Sequence, residues 1–261
     1  MKLPLFQVDA FTDAVFGGNP AAVCPLDAWL PDGVMQAIAA ENNLSETAFL
    51  VPQGDDYTLR WFTPAVEVPL CGHATLASAF VVCRHLKPGR DAVTFHTQSG
   101  PLHVRADEGG FTMTLPRWSP EPVATPALAK VLGAAPEAVL ATARDYVVVF
   151  PSEMALRGLV PDFPGLAALD RDGILATAPG EAHDFVLRYF APKVGVDEDP
   201  VTGSAQCSAA PYWAARLGVH TLVSRQISAR GGLLRSRVLD DAVAVTGACA
   251  LYLEGTISVP D

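Results

Sequence analysis

Three short segments hold residue types that could move a proton or hold an anion. The first is Asn42-Asn43-Leu44-Ser45-Glu46-Thr47-Ala48-Phe49, which sets a hydroxyl and a carboxylate where a helical pattern gives way to an apolar strand. A glutamate beside Ala48 and Phe49 is partly withdrawn from water. That favours its protonated form and suits it to proton transfer near neutral pH. On residue types alone, a solvated glutamate at a strand start is the commoner arrangement. The second segment is Cys71-Gly72-His73-Ala74-Thr75, and the third is Glu198-Asp199-Pro200-Val201-Thr202-Gly203-Ser204. Gly72 and Gly203 each stand where a helix of small residues begins. Helix starts present unpaired N–H groups and the positive end of the macrodipole, and two of them facing one cleft make an anion site. A glycine there also serves a plain tight turn. Asp199 reads either as a helix cap or as the acceptor of a bond from a substrate amine or from His73. His73 reads equally as a buried core histidine and as a ligand-facing group.

The elements that must position these residues repeat. Arg60-Trp61-Phe62-Thr63-Pro64 is matched by Arg188-Tyr189-Phe190-Ala191-Pro192. After each come a Val-rich loop with acid, a glycine and a small-residue helix. The arginines are 128 residues apart and the glycines 131 apart, close to half the chain. Such an echo predicts two similar domains related by a pseudo-twofold axis. The helix over His73 to Val82 is apolar nearly all round, so it belongs inside its own half. Pro211 is expected to kink or interrupt the second helix. Elsewhere the pattern predicts strands over Leu3–Asp9, Thr47–Val51 and Tyr57–Thr63, a helix over Pro31–Asn42, and a meander over Val93–Gln98, Leu102–Ala106 and Phe111–Leu115. Three prolines between Pro116 and Thr125 mark the domain boundary.

Composition narrows the function classes. With 261 residues, half of them apolar and 18% charged, the chain can bury two ordinary cores. A net charge of −10 repels phosphate backbones and argues against nucleic acid as a partner. The longest apolar stretch, Ala74 to Cys83, is about half of a bilayer crossing, and Met1 to Phe6 runs into Asp9 without a leader-like core. Five cysteines without close pairing predict reduced thiols and a cytoplasmic protein with no membrane partner. The six histidines do not stand at metal-ligand spacing from one another, which predicts no zinc site.

Four stretches together resemble the PhzF-like family of phenazine biosynthesis. They are Val8-Asp9-Ala10-Phe11-Thr12 with Phe16-Gly17-Gly18-Asn19-Pro20-Ala21-Ala22-Val23; Asn43 to Phe49; Arg60 to Pro64 continuing through Leu70-Cys71-Gly72-His73-Ala74-Thr75-Leu76-Ala77; and Glu198 to Ala205. They stand in the family's order and reach from the N-terminus to about Trp213. The resemblance implies an α+β, diaminopimelate-epimerase-like fold: two pseudo-symmetric domains, each a mostly antiparallel β-barrel around a central buried helix. The domains would be 1–117, with a C-terminal strand near 250–261 able to complete it, and 118–250. It implies a homodimer, no metal, no organic cofactor and an active site in the inter-domain cleft. The family's name-giving enzyme isomerises trans-2,3-dihydro-3-hydroxyanthranilate by moving a proton between ring carbons, which implies a small carboxylate substrate here. The matching positions are Glu46 as acid/base, with Ser45, Gly72, His73, Asp199, Gly203 and Ser204 as substrate contacts or supports. The family commonly has His where this chain has Gln206.

Three other functions fit parts of the pattern. An amino-acid epimerase of the same fold needs two thiols, and Cys71 stands where the first would be. Thr202 occupies the second place and is far too weak an acid to replace a thiolate. A binding protein could keep the fold and the anion site without chemistry. A thiol hydrolase would need Cys71 paired with a base, and His73, two residues on at a helix start, is expected to be poorly placed for that.

Overall fold

The computed structural model describes residues 1–124 and 127–260. In chain order the elements begin with strands β1 (Lys2–Ala10) and β2 (Asn19–Pro25), helix α1 (Asp32–Asn42), and strands β3 (Glu46–Gln53), β4 (Asp56–Phe62) and β5 (Glu67–Val68). Helix α2 (Gly72–Val81) and strands β6 (Ala92–Thr97), β7 (Gly100–Asp107), β8 (Gly110–Pro116) and β9 (Glu121–Pro122) follow. Next come α3 (Ala127–Leu132), β10 (Ala138–Ala141), β11 (Asp145–Val149), α4 (Glu153–Arg157), α5 (Phe163–Ala167), β12 (Gly173–Pro179) and β13 (Phe185–Phe190). Helix α6 (Gln206–Leu217) and strands β14 (Thr221–Gln226), β15 (Gly232–Val238), β16 (Ala242–Gly247) and β17 (Cys249–Ser258) complete a mixed α+β fold rich in strand. The chain divides into two compact units, Met1–Thr114 with Thr246–Asp261, and Leu115–Val245. Of the proline-rich stretch between Pro116 and Thr125, Thr125 lies outside the described residues. Asp261, the last residue of the C-terminal strand expected near 250–261, does so too.

In the first unit β17 pairs antiparallel with β1, and β1 with β2. From there β2 and β3 run parallel, β3 and β4 antiparallel, β4 and β6 parallel, and β6, β7 and β8 antiparallel in turn. Strands from both ends of that row, β17 and β7 among them, pack on α2, so the sheet curls about the helix. The all-round apolar surface of α2 explains its place: Leu76, Ala77, Ala79 and Val81 are fully buried. Its two buried hydroxyls turn back on the helix, Thr75 Oγ1 donating to the Cys71 carbonyl (2.6 Å) and Ser78 Oγ to that of Ala74 (2.7 Å). Helix α1 lies outside β3 and β4, where Met35, Ile38 and Ala39 meet Phe49 and Phe62.

The second unit repeats the ladder. Here β11 and β12 are parallel, β12 and β13 antiparallel, β13 and β14 parallel, and β14 and β15 antiparallel. The buried helix falls at the same point of each series, α2 between β4 and β6 and α6 between β13 and β14. The echoed arginines do the same job in each. Arg60 grips Glu67 with two hydrogen bonds of 2.7 Å and lies over Phe62; Arg188 grips Glu198 at 2.8 and 2.9 Å and lies over Phe190. The acid of each Val-rich loop is thus a clasp that holds the loop to its strand.

Helix α6 differs from its expected form. Gly203 opens a single 3-10 turn over Gly203–Ala205, and the α-helix proper starts at Gln206. Nor does Pro211 interrupt it: α6 runs unbroken from Gln206 to Leu217. A proline leaves the carbonyl four residues earlier without its helical donor, here that of Cys207. The Trp118 backbone N–H takes that carbonyl at 2.8 Å, so no buried acceptor is orphaned.

Candidate active site

Glu46 is placed by the turn that ends α1. Asn43 adopts the left-handed conformation (φ 50°, ψ 37°) as the C-cap, which asparagine tolerates better than most residues. The chain then bends through Leu44 and half-buried Ser45 into β3, whose first residue, Glu46, lies in register with Ala21 of β2. Asn42 Nδ2 donates to Thr47 Oγ1 at 3.0 Å and fixes the bend.

Helix α2 brings the partner group. His73 is its second residue and is buried. Its Nε2 lies 3.2 Å from Glu46 Oε2, and its Nδ1 lies 3.4 Å from Cys71 Sγ. The sequence had suggested poor geometry for a Cys71–His73 pair, and that is corrected here. Cys71 is the N-cap and its backbone is extended (φ −143°, ψ 113°), so its side chain swings back onto the ring of the second helical residue. The three groups form one compact cluster, with thiol and carboxylate both close to the imidazole. The Glu46–His73 approach is a close pairing of carboxylate and ring rather than an aligned hydrogen bond.

Burial holds the ring neutral. It pushes the His73 pKa from the usual 6.5 down to about 3, against a smaller opposing pull from the Pro20 carbonyl. A neutral ring offers the thiol no positive charge to stabilise a thiolate. Glu46, Cys71 and His73 have donor atoms within 4.8 Å of one another, the spacing of a metal cluster. The acid limb of stability should report this histidine. Between about pH 6.5 and 3 the unfolded chain takes up a proton that folded His73 refuses. Stability therefore falls as pH drops through that window, by up to about 1.4 kcal/mol per pH unit. Urea melts from pH 7 to 4 should show a shallower decline for His73→Gln than for the wild type.

The second unit gathers another set. Half-buried Asp199 accepts a hydrogen bond from Thr202 Oγ1. Gln226, buried on β14, ties the same loop three ways: Oε1 accepts from Thr202 N (2.8 Å), while Nε2 donates to the Asp199 carbonyl (2.7 Å) and to Thr202 Oγ1 (3.3 Å). Gly203 is buried and Ser204 half-buried at the turn that leads into α6. Ser204 Oγ accepts from Arg144 Nη2 at 3.0 Å. Gln206 is fully buried and its Oε1 accepts from Ser236 Oγ (3.0 Å), tying α6 to β15. The structure therefore brings Glu46, Cys71 and His73 together in one unit, and Asp199, Thr202 and Ser204 in the other. Arg144 and Gln226 were not singled out from sequence. The signal for Arg144 was the charged pair Arg144-Asp145 directly before the wholly apolar run Tyr146 to Phe150.

Comparison with known proteins places the chain. The family model described as phenazine biosynthesis-like protein matches residues 8–255, and the chain belongs to that family. It is an isomerase of the family, as its relatives are named. A Pseudomonas aeruginosa protein named an uncharacterized isomerase is 53% identical over 98% of this chain and 99% of its own length. A PhzF-family crystal structure from Enterococcus faecalis superposes with a TM-score of 0.96 at 44% identity, covering 99% of this chain and 100% of that one. A hydroxyproline epimerase from Agrobacterium vitis shares the fold at a TM-score of 0.62 and 11% identity, over 100% of this chain and 93% of that one. Among the described residues no helix is long and apolar enough to cross a membrane, and all five cysteines are free thiols.

Proposed function

We propose that this isomerase moves a proton within a small carboxylate-bearing substrate without a cofactor, and that Glu46 carries the proton. The observation behind this reading is the 3.2 Å contact between Glu46 and a histidine held neutral. Glu67 and Glu198 are each gripped by an arginine, which fixes a carboxylate in its ionised form. A neutral imidazole does not fix the charge of its neighbour. Glu46 can then take a proton from one carbon and return it to another. Ser45 and Gly72 stand beside it as substrate contacts. In the second unit Asp199, Gly203 and Ser204 are assigned to substrate recognition. The family's homodimer belongs to this reading too.

A thiol-based epimerase is the second reading, and the Cys71–His73 contact favours it. Against it, Thr202, at the place of the second thiol, has its hydroxyl committed to Asp199. The two readings part at Cys71→Ser. In two-thiol chemistry the change nearly eliminates turnover, because a serine hydroxyl is a far poorer base than a thiol. In the Glu46 mechanism most activity remains, with a small stability cost from a buried hydroxyl. The measurement is solvent-deuterium uptake into trans-2,3-dihydro-3-hydroxyanthranilate and a panel of small amino-carboxylates. Uptake that vanishes in Cys71→Ser but survives in Glu46→Gln would replace this proposal with the thiol enzyme.

A further inference from the structure

Arg144 is gripped by several groups of its own unit. Its Nε donates to both carboxylate oxygens of Asp145 at 3.0 Å, and Asp145 is 1% exposed. Its Nη2 donates to Tyr189 Oη at 3.2 Å, and that hydroxyl in turn donates to Asp145 Oδ1 at 2.8 Å. The guanidinium stacks over the Trp118 ring, 5.0 Å from its centroid. Gly173 faces the same cluster, and a Cβ there would collide with Tyr189 Oη and Asp145 Oδ1. Burial pushes the Tyr189 hydroxyl well above its usual pKa, and the Asp145 charge adds to that, so it stays protonated and keeps donating.

An ion pair that only held the fold would end at Asp145. This one continues. The same Nη2 reaches Ser204 Oγ at 3.0 Å, while 34% of the arginine side chain remains open to solvent. A serine hydroxyl has two lone pairs and one proton. One lone pair is taken by a cation, which weakens Oγ as an acceptor and strengthens its O–H as a donor. Among the described residues no recorded hydrogen bond uses that proton. We infer that Arg144 is a positioning residue that presets Ser204 Oγ as a hydrogen-bond donor to a carboxylate of the substrate. The inference rests on the reading above, in which Ser204 touches substrate, and it names the substrate group that Ser204 meets. A carboxylate answers the donor and the adjacent fixed positive charge together; a neutral amide answers only the donor.

The test is binding of 2-aminobenzoate and its neutral counterpart 2-aminobenzamide, measured by titration calorimetry at low salt, with a thermal melt for each variant. Ser204→Ala should bind 2-aminobenzoate about tenfold more weakly, the usual scale for losing one hydrogen bond to a charged group. Arg144→Gln alone would strand the buried Asp145 charge. The pair Arg144→Gln/Asp145→Asn removes both charges, and it should show the same loss. Adding Ser204→Ala to that pair should weaken binding no further, because the arginine acts through the serine. Arg144→Lys keeps a charge over Asp145 and so guards against a variant that does not fold. It loses the planar fork and should weaken the carboxylate selectively, by about threefold. The amide should be indifferent to every change. Losses that add, a folded Arg144 variant with unchanged 2-aminobenzoate affinity, or a wild type that does not prefer the carboxylate would each overturn the inference. Glu46 is untouched in every arm, so these results stand apart from the deuterium experiment that tests the proton-transfer reading.

Discussion

Glu46→Gln is expected to leave the protein folded and to lower proton transfer by at least about a hundredfold, the low end for removing a general acid/base. The substitution is close to isosteric. The side chain is 18% exposed, and an amide of nearly the same size keeps the close approach to His73. The proton-carrying function alone is lost. The His73 ring beside it is neutral, so the change strands no buried cation there. Deuterium incorporation in single-turnover and steady-state formats is the measurement, with circular dichroism and a urea melt as controls. A folded Glu46→Gln protein that exchanges at the wild-type rate removes Glu46 from the mechanism.

The largest stability effect is expected at Trp213, in α6. Its ring is 1% exposed and stacks on Phe185 with centroids 5.8 Å apart and planes within 9°. Its Nε1 donates to Thr177 Oγ1 at 2.9 Å, and that hydroxyl donates onward to the Val186 carbonyl at 2.7 Å. One side chain thus links the helix to β12 and β13. Trp213→Ala should cost about 3–5 kcal/mol, the range for deleting a large core aromatic. That is a large share of the ~5–15 kcal/mol by which proteins of this kind exceed unfolding. Trp213→Phe keeps most of the packing and loses the N–H, so about 1–2 kcal/mol is expected. Urea denaturation followed by circular dichroism separates the two. Equal losses for both would mean that the hydrogen bond, not the ring volume, holds α6.

The features legible in the sequence are those written in contiguous motifs. The four stretches around Asp9, Glu46, His73 and Gly203 sufficed for the family, and the resemblance to it holds over nearly the whole chain. The Arg60 and Arg188 echo was visible because each copy keeps arginine, aromatic, Phe and Pro in order. Its physical content, the bidentate clasp on Glu67 and Glu198, needed the loops to be folded. Proximity created by caps and ladders was not legible. The Cys71–His73 contact depends on an extended N-cap, which no spacing rule encodes. The unbroken course of α6 past Pro211 depends on a donor from Trp118, 93 positions earlier. The Arg144 cluster joins residues 144, 145, 189 and 204, which meet only after β11 and β13 flank β12. Gln226 lies outside the four motif stretches, yet it fixes the Asp199–Thr202 loop by three bonds.

The paired clasps bear on how such a chain can change over generations. Each half carries its own arginine–glutamate lock, its own alternation of strand directions and its own buried helix. A loop edited by mutation in one half is therefore answered by that half's own framework. The corresponding positions have already drifted apart: Cys71 and His73 flank Gly72, while Thr202 and Ser204 flank Gly203. A chain made of two self-supporting copies can keep acid–base groups in one and retool the other for new ligands. Descendants of this architecture should vary most at the residues flanking the second glycine, and least at the locks.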